Sequence, residues 1–187
     1  MRIIGGILKN KKILLPEDKK TRPLKDIVKE SIFNLIEHSK KINFNINNAH
    51  VLDLFSGIGS FGIECISRGA GNVDFVENYS LAQNILKKNI SNLKIENKCN
   101  IIDKDCFNFL SDNNKKFNTK YDMIFLDPPY KEKDIDQIIG LIRNTKILKN
   151  KGLIIIHRHK KDDIKDLAKL KILDIRNYGI SKIVFGI

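Results

Sequence analysis

From His50 onward, short apolar runs rich in Ile, Val, Leu and Phe alternate with segments of helical periodicity, and this constrains the fold more than any other feature. The predicted strands are His50 to Phe55, Asn72 to Val76, Asn100 to Asp103, Tyr121 to Leu126, Gly152 to Ile156, Leu170 to Ile175 and Ser181 to Phe185. Helices are predicted over Phe61 to Arg68, Leu81 to Leu93, Phe107 to Leu110, Ile135 to Arg143 and Asp162 to Ala168. Strands alternating with helices bury both faces of a parallel-rich sheet, so the fold class is α/β. The last two strands, joined through Asn177-Tyr178-Gly179-Ile180, read as an antiparallel hairpin at the end of the sheet.

The segment before this alternation has a different pattern. Ile3-Ile4-Gly5-Gly6 and Lys12-Ile13-Leu14-Leu15-Pro16 flank Lys9-Asn10-Lys11 and suggest a hairpin. Pro23 then opens a helix in which Ile27, Val28, Ile32, Leu35 and Ile36 recur at helical spacing. The predicted organisation is an amino-terminal hairpin-plus-helix extension, residues 1–41, on a larger α/β domain, residues 42–187.

Two motifs carry chemistry. Val51-Leu52-Asp53-Leu54-Phe55-Ser56-Gly57-Ile58-Gly59-Ser60-Phe61-Gly62 is a strand followed by three glycines opening a helix, where the backbone can approach a ligand closely. The spacing alone would also serve a dinucleotide, but Phe55-Ser56 suits a pyrophosphate turn poorly. Glu77, at the end of the next strand, can accept both hydroxyls of a ribose. Asp105, with Cys106 beside it, follows the third strand, where an adenine amino group could be fixed. Acids at such strand ends also commonly cap the following helix. Here they gather with Asp53 at the carboxyl ends of parallel strands, the usual ligand crevice of such sheets.

The second motif is Asp127-Pro128-Pro129-Tyr130, directly after the apolar run Met123-Ile124-Phe125-Leu126. Two prolines have no N–H and a fixed φ, so the chain leaves the sheet extended and rigid. An amino group conjugated to a base is a poor nucleophile. The Asp127 carboxylate and Pro128 carbonyl offer two acceptors to orient it, and Tyr130 can stack on the base. Alone, the tetrapeptide is equally well a turn that ends a strand; the glycine loop upstream favours methyl transfer to an amine.

Charge points to the partner. The formal net charge is +12, and from Met1 to Lys41 eleven Lys/Arg face five Asp/Glu, so about half the excess lies in the extension. That balance favours a polyanion such as nucleic acid, although a solvated lysine face is the plainer alternative. Arg2, Lys9, Lys11, Lys12 and Arg22 are the candidate nucleic-acid contacts, to phosphate rather than to bases; Arg22 could instead contact a cofactor or cap a turn. With 42% hydrophobic and 30% charged residues, the chain is an ordinary globular one. No apolar stretch reaches membrane-span length, and the amino terminus does not read as a signal peptide, so a cytoplasmic protein is expected. Cys65, Cys99 and Cys106 form no C-x-x-C spacing, and His38, His50, His157 and His159 are scattered. Neither a disulfide framework nor a metal site is expected.

The series Asp53 to Gly62, Glu77, Asp105, Asp127 to Tyr130 resembles the class I S-adenosylmethionine-dependent amino methyltransferases. Arg2-Ile3-Ile4-Gly5-Gly6, Thr21-Arg22-Pro23, Lys29-Glu30-Ser31-Ile32-Phe33, Leu52 to Gly57, Ser67-Arg68-Gly69-Ala70 and Tyr178-Gly179 narrow it. Together they are similar to the bacterial family that methylates the exocyclic amine of a guanine in small-subunit (16S-type) ribosomal RNA. The resemblance runs nearly end to end. It implies a Rossmann-like sheet of seven strands with the last antiparallel, an extension that contacts RNA, and the small ribosomal subunit or its RNA as partner of a monomeric enzyme. It implies S-adenosylmethionine as methyl donor, leaving S-adenosylhomocysteine. It assigns Asp127, Pro128, Pro129 and Tyr130 to catalysis, and Asp53, Phe55, Ser56, Gly57, Gly59, Glu77, Asp105 and Cys106 to the cofactor. One departure is His157-Arg158-His159, which stands where the family often has an acid after the fifth strand. A DNA adenine methyltransferase would share both motifs, but the stretch between Glu77 and Asp127 has no room for a DNA-recognition module. A protein glutamine methyltransferase more often has Asn before the prolines. A silent RNA-binding protein of the same fold would not need every acid in place.

Overall fold

A computed structural model describes residues 1–17, 24–112, 120–129, 134–163, 167 and 170–187. Among these, α1 (Asp26–His38) precedes β1 (His50–Leu54), α2 (Ser60–Ser67), β2 (Asn72–Val76), α3 (Ser80–Leu93), β3 (Cys99–Ile102), α4 (Cys106–Ser111) and β4 (Tyr121–Leu126). Then come α5 (Ile135–Asn144), β5 (Leu148–His159), β6 (Ile172–Tyr178) and β7 (Ser181–Gly186). The seven strands form one sheet in the order β3-β2-β1-β4-β5-β7-β6. Neighbours from β3 to β5 run parallel, whereas β7 lies antiparallel between β5 and β6. The predicted terminal hairpin is therefore present, with its second strand inserted inside its first.

Side chains alternate across a strand, and here both faces are apolar. Val51, Phe75, Met123, Phe125, Ile155 and Phe185 point to the face covered by α1, α2 and α3. Leu52, Leu54, Val76, Ile124, Leu126, Ile156 and Val184 point to the face covered by α4 and α5. The ring of Phe61 stacks on Phe125 at 3.7 Å and faces Phe33 at 5.3 Å, joining α1, α2 and the sheet.

β5 begins four residues before its predicted start, and a register shift against β4 absorbs the polar lead-in Lys149-Asn150-Lys151. The predicted helix from Asp162 to Ala168 falls largely outside the described residues, as do Thr21, Arg22 and Pro23. The amino-terminal hairpin narrows to one antiparallel bridge, Arg2 to Lys12, flanked by hydrogen bonds from Ile3 N to Lys11 O and Ile13 N to Met1 O. The helical face read for α1 is also corrected. Ile27 is 65% exposed, whereas Lys29 of the same turn is fully buried beside Val28. Burial there follows an ion pair: Lys29 Nζ lies 3.4 Å from a Glu64 carboxylate on α2 that is itself buried.

Candidate active site

β1 runs out at Leu54, and the chain turns through two left-handed residues, Phe55 (φ 59°) and Gly57 (φ 54°), before Gly59 starts α2. The turn is closed from below by Asp53, whose Oδ2 accepts the Gly62 N–H at 3.0 Å. It is closed from the side by Glu77, whose Oε2 accepts the Gly57 N–H at 2.7 Å. Oε1 of Glu77 meanwhile accepts from Asn78 N and Tyr79 N, at 3.0 and 2.8 Å, fixing the entry to α3. Glu77 is thus a brace between two parallel βα turns. A carboxylate has about four lone-pair sites, so acceptor capacity remains for a ligand.

The rim follows from topology. Parallel strands put Asp53, Glu77, Asp105 and Asp127 at or just past their carboxyl ends, and the strand order reverses between β1 and β4. A crevice opens at that reversal. Antiparallel β7 brings its first residue, Ser181, to the same rim, paired in register with His159 and with its hydroxyl against the His157 ring. The resulting cavity holds about 460 Å³, the size of a small-molecule site. Its lining includes Asp53, Phe55, Ser56, Gly57, Ile58 and Phe61 from the glycine loop, and Glu77, Asn78, Tyr79 and Asp105 from the next two turns. Phe125, Asp127, Pro128, Pro129, His157 and Ser181 form the other side, with Leu24 and Lys25 of the extension at the edge.

The sequence-predicted residues fall into three groups. Asp53, Phe55, Ser56, Gly57, Glu77, Asp105, Asp127, Pro128 and Pro129 share the cavity. Asp105 also caps α4, its Oδ1 accepting from Phe107 N at 2.9 Å and Asn108 N at 3.3 Å. Gly59 and Cys106 stand behind the lining. A Cβ on Gly59 would lie 2.3 Å from Leu86 Cδ1, so glycine there admits α3 packing. Cys106 is buried, which pushes its thiol up, against the backbone of Phe55. Tyr130 and Arg22 lie outside the described residues. Arg2, Lys9, Lys11 and Lys12 are exposed on the extension, away from the cavity lining.

His157 and Ser181 are among the lining residues that the sequence reading of the site leaves out. In the sequence His157 stands within a stretch that departs from the resemblance, and Ser181 carries no signal beyond the strand pattern. Their Nδ1 to Asp127 Oδ1 and Nε2 to Oγ separations are 2.7 and 2.9 Å.

Electrostatics give the cavity its character. Burial raises the Asp53 carboxyl well above the ordinary carboxylate value; the Gly62 N–H opposes this, and the charges of Asp127 and Glu77 add to it. Acids that repel one another around an apolar crevice favour a cation in their midst. A strand-end carboxylate with acceptor capacity to spare, apolar walls and a negative field are features that a sulfonium nucleoside would match. Among the described residues, no group of three or more His, Cys, Asp or Glu could hold a metal ion.

The family model described as "Conserved hypothetical protein 95" matches residues 1–187. A Buchnera aphidicola protein named "Ribosomal RNA small subunit methyltransferase D" is 37% identical over 158 residues, spanning 84% of this chain and 76% of that one. The solved structure of the Escherichia coli protein yhhF superposes with a TM-score of 0.83 at 25% identity, over 100% of this chain and 96% of that one. That of SMU.776, a complex with S-adenosylhomocysteine, shares the fold at a TM-score of 0.64 and 19% identity, over 79% of this chain and 47% of that one. The chain belongs to the conserved hypothetical protein 95 family, the class I methyltransferase family of the small-subunit ribosomal RNA methyltransferases D.

Proposed function

We propose that this methyltransferase transfers a methyl group from S-adenosylmethionine to the exocyclic 2-amino group of a guanine in small-subunit ribosomal RNA. The observation that carries the reading is a single cavity with the glycine loop and Glu77 on one side and Asp127-Pro128-Pro129 on the other. Donor and amine would thus share one crevice. Glu77 would hold the ribose and Asp105 the adenine end, and the acids around Asp53 would favour the cationic donor over its neutral product. The donor supplies an electrophilic methyl carbon.

The chain's own residues handle the amine. One nitrogen hydrogen is held by Asp127 and the other by the Pro128 carbonyl, which aims the lone pair across the cavity. As the nitrogen–carbon bond forms, the carbon–sulfur bond breaks and its electron pair stays on sulfur. The nitrogen then carries positive charge, and its proton passes to Asp127 and on to water. Asp127 need not be a strong base, because that proton becomes acidic only as the new bond forms. Bringing the two reactants into one approach geometry supplies about 7–11 kcal/mol. A charge-assisted hydrogen bond to Asp127 adds about 1.5–3 kcal/mol. Positioning dominates. Tyr130, on sequence grounds, stacks on the target base, and the basic extension contacts phosphates of the RNA.

The test is to incubate the protein with labelled S-adenosylmethionine and, separately, small subunits, stripped ribosomal RNA and DNA. The modified nucleoside is then identified by mass spectrometry. N2-methylguanosine in the ribosomal RNA supports the reading; label confined to adenine in DNA, or to protein, overturns it.

A further inference from the structure

The rim holds an arrangement that the methyl-transfer scheme does not use. His157, near the end of β5, is 7% exposed, and its Nδ1 lies 2.7 Å from Asp127 Oδ1. On the far side of the ring, Nε2 lies 2.9 Å from the hydroxyl of Ser181, which is itself buried. The next residue braces the same turn: Arg158 Nη1 donates to the Pro129 carbonyl at 3.4 Å, while its Nε pairs with Asp162 at 2.8 Å.

A carboxylate at the end of a strand has one broad terminal torsion, so a motif that must aim it needs a partner for the oxygen it does not use. With Asp127 ionised, its oxygens only accept, so Nδ1 of His157 must carry the hydrogen. Neutral imidazole then has Nε2 as its acceptor, and Ser181 donates to it. The chain of donors runs Ser181 to His157 to Asp127. It occupies Oδ1 and leaves Oδ2 free. We infer that His157 is a positioning residue for Asp127, held in one ring orientation by Ser181, and that it presents Oδ2 of Asp127 to the amine. The inference rests on the proposed amine methylation. It gives a physical role to a residue that the sequence reading leaves without one.

Magnitude follows from geometry. Misplacing a reacting or orienting group by about 1 Å costs about 100-fold in rate. His157→Phe retains the ring's bulk but has no donor, and is expected to lower kcat on small subunits by about 100-fold. The dissociation constant for S-adenosylhomocysteine and the KM for the RNA should stay within about threefold, since neither ligand loses a charge partner. His157→Asn places an amide N–H where Nδ1 stood and should recover about tenfold of that loss or more.

Single-turnover rates and calorimetric S-adenosylhomocysteine affinity for both variants decide the matter, with a nitrogen-15 imidazole spectrum of the wild type. The expected spectrum shows His157 protonated at Nδ1, assigned by its disappearance in His157→Asn. Phe and Asn variants equal in rate, a Phe variant within about threefold of wild type, or an Nδ1 without hydrogen would each overturn the inference. Failure of the wild type to methylate any ribosomal RNA would instead sink the proposed function. The spectrum would still judge the pairing by itself.

Discussion

Asp127 and Asp53 stand on adjacent strands of one rim, yet their surroundings ask different things of them. Asp127 is partly open to the cavity and paired with a histidine; Asp53 is buried under the loop and spends Oδ2 on the Gly62 N–H. Asp127→Ala should reduce methyl transfer by about 100-fold or more while S-adenosylhomocysteine binding stays near normal. Near-normal turnover of the folded variant would remove Asp127 from the mechanism. Asp53 makes a stability prediction. Its folded-state carboxyl is raised by burial, so across the range from the ordinary carboxylate value up to that raised value the unfolded chain loses the proton first. The unfolded state then binds fewer protons, and stability of the ligand-free protein falls as pH rises through that range. Asp53→Asn keeps an acceptor for Gly62 and removes the titration. Thermal unfolding from about pH 4 upward should therefore decline more steeply in the parent than in the variant; equal slopes would refute the assignment. At this scale the sequence was informative where a residue type has one common use. Asp127 and Glu77 were legible from strand-end position. His157 was not, because its partner is thirty positions away and Ser181 reaches it only through the inserted antiparallel strand.

Between elements, the organising residue is Glu64. From the middle of α2 its carboxylate accepts Ile4 N at 2.8 Å and Gly5 N at 2.7 Å, pairs with Arg68 at 2.9 Å, and lies 3.4 Å from Lys29. Arg68 continues to Glu37 at 2.7 Å and lies over the Phe33 ring at 4.5 Å. Lys29 donates in turn to the Arg2 carbonyl at 3.1 Å. The strip Arg2 to Gly6 is thereby sewn to α1 and α2. The close approach explains its glycines: a Cβ on Gly6, at φ 76°, would lie 1.8 Å from the Ser67 carbonyl oxygen. A second seam runs through Asn89 on α3, which bonds Leu14 N and O and the Ile58 carbonyl of the glycine loop. Burial lowers the Lys29 ammonium, with Glu64 working against that shift. Glu64→Gln keeps the shape but leaves the buried Lys29 with only the more exposed Asp26, 4.0 Å away, as counter-charge. It should cost about 3–5 kcal/mol, the usual result of breaking a buried pair on one side. Lys29→Met should cost less, because Glu64 keeps Arg68 and two backbone donors. Urea unfolding of the two variants checks the order, and a larger loss for Lys29→Met would show the pair to be organised by the lysine. Apolar periodicity located α1 and the strands, but a helix that buries a charge breaks that periodicity. Ile27 and Lys29 exchange their expected places for this reason.

At the scale of the whole molecule, the extension and the sheet share one core: Ile3, Ile13, Val28, Ile32 and Phe33 pack in the same cluster as Val51, Phe75 and Phe125. The extension is built as part of the floor under the glycine loop, and its Leu24 and Lys25 reach the cavity edge. A rigid junction means that whatever the outer face of the extension grips is held in fixed register with Asp127. That outer face carries Arg2, Lys9, Lys11 and Lys12, all exposed, in a chain whose net charge is +12. If these lysines contact phosphates, each one removed should reduce counterion release on binding. Replacing Lys9, Lys11 and Lys12 together by Ala should weaken binding of small-subunit RNA and lower the slope of log affinity against log salt by about two. The effect should be uniform across RNA sequences, because phosphate contacts carry no base information. Affinity for S-adenosylhomocysteine should not change, since these side chains lie outside the cavity lining. Filter binding across a salt series, with calorimetry for the nucleoside, separates the outcomes. An unchanged salt slope would mean that the lysines are a solvated face and that RNA is held elsewhere. A simultaneous loss of nucleoside binding would mean instead that the extension supports the cavity itself.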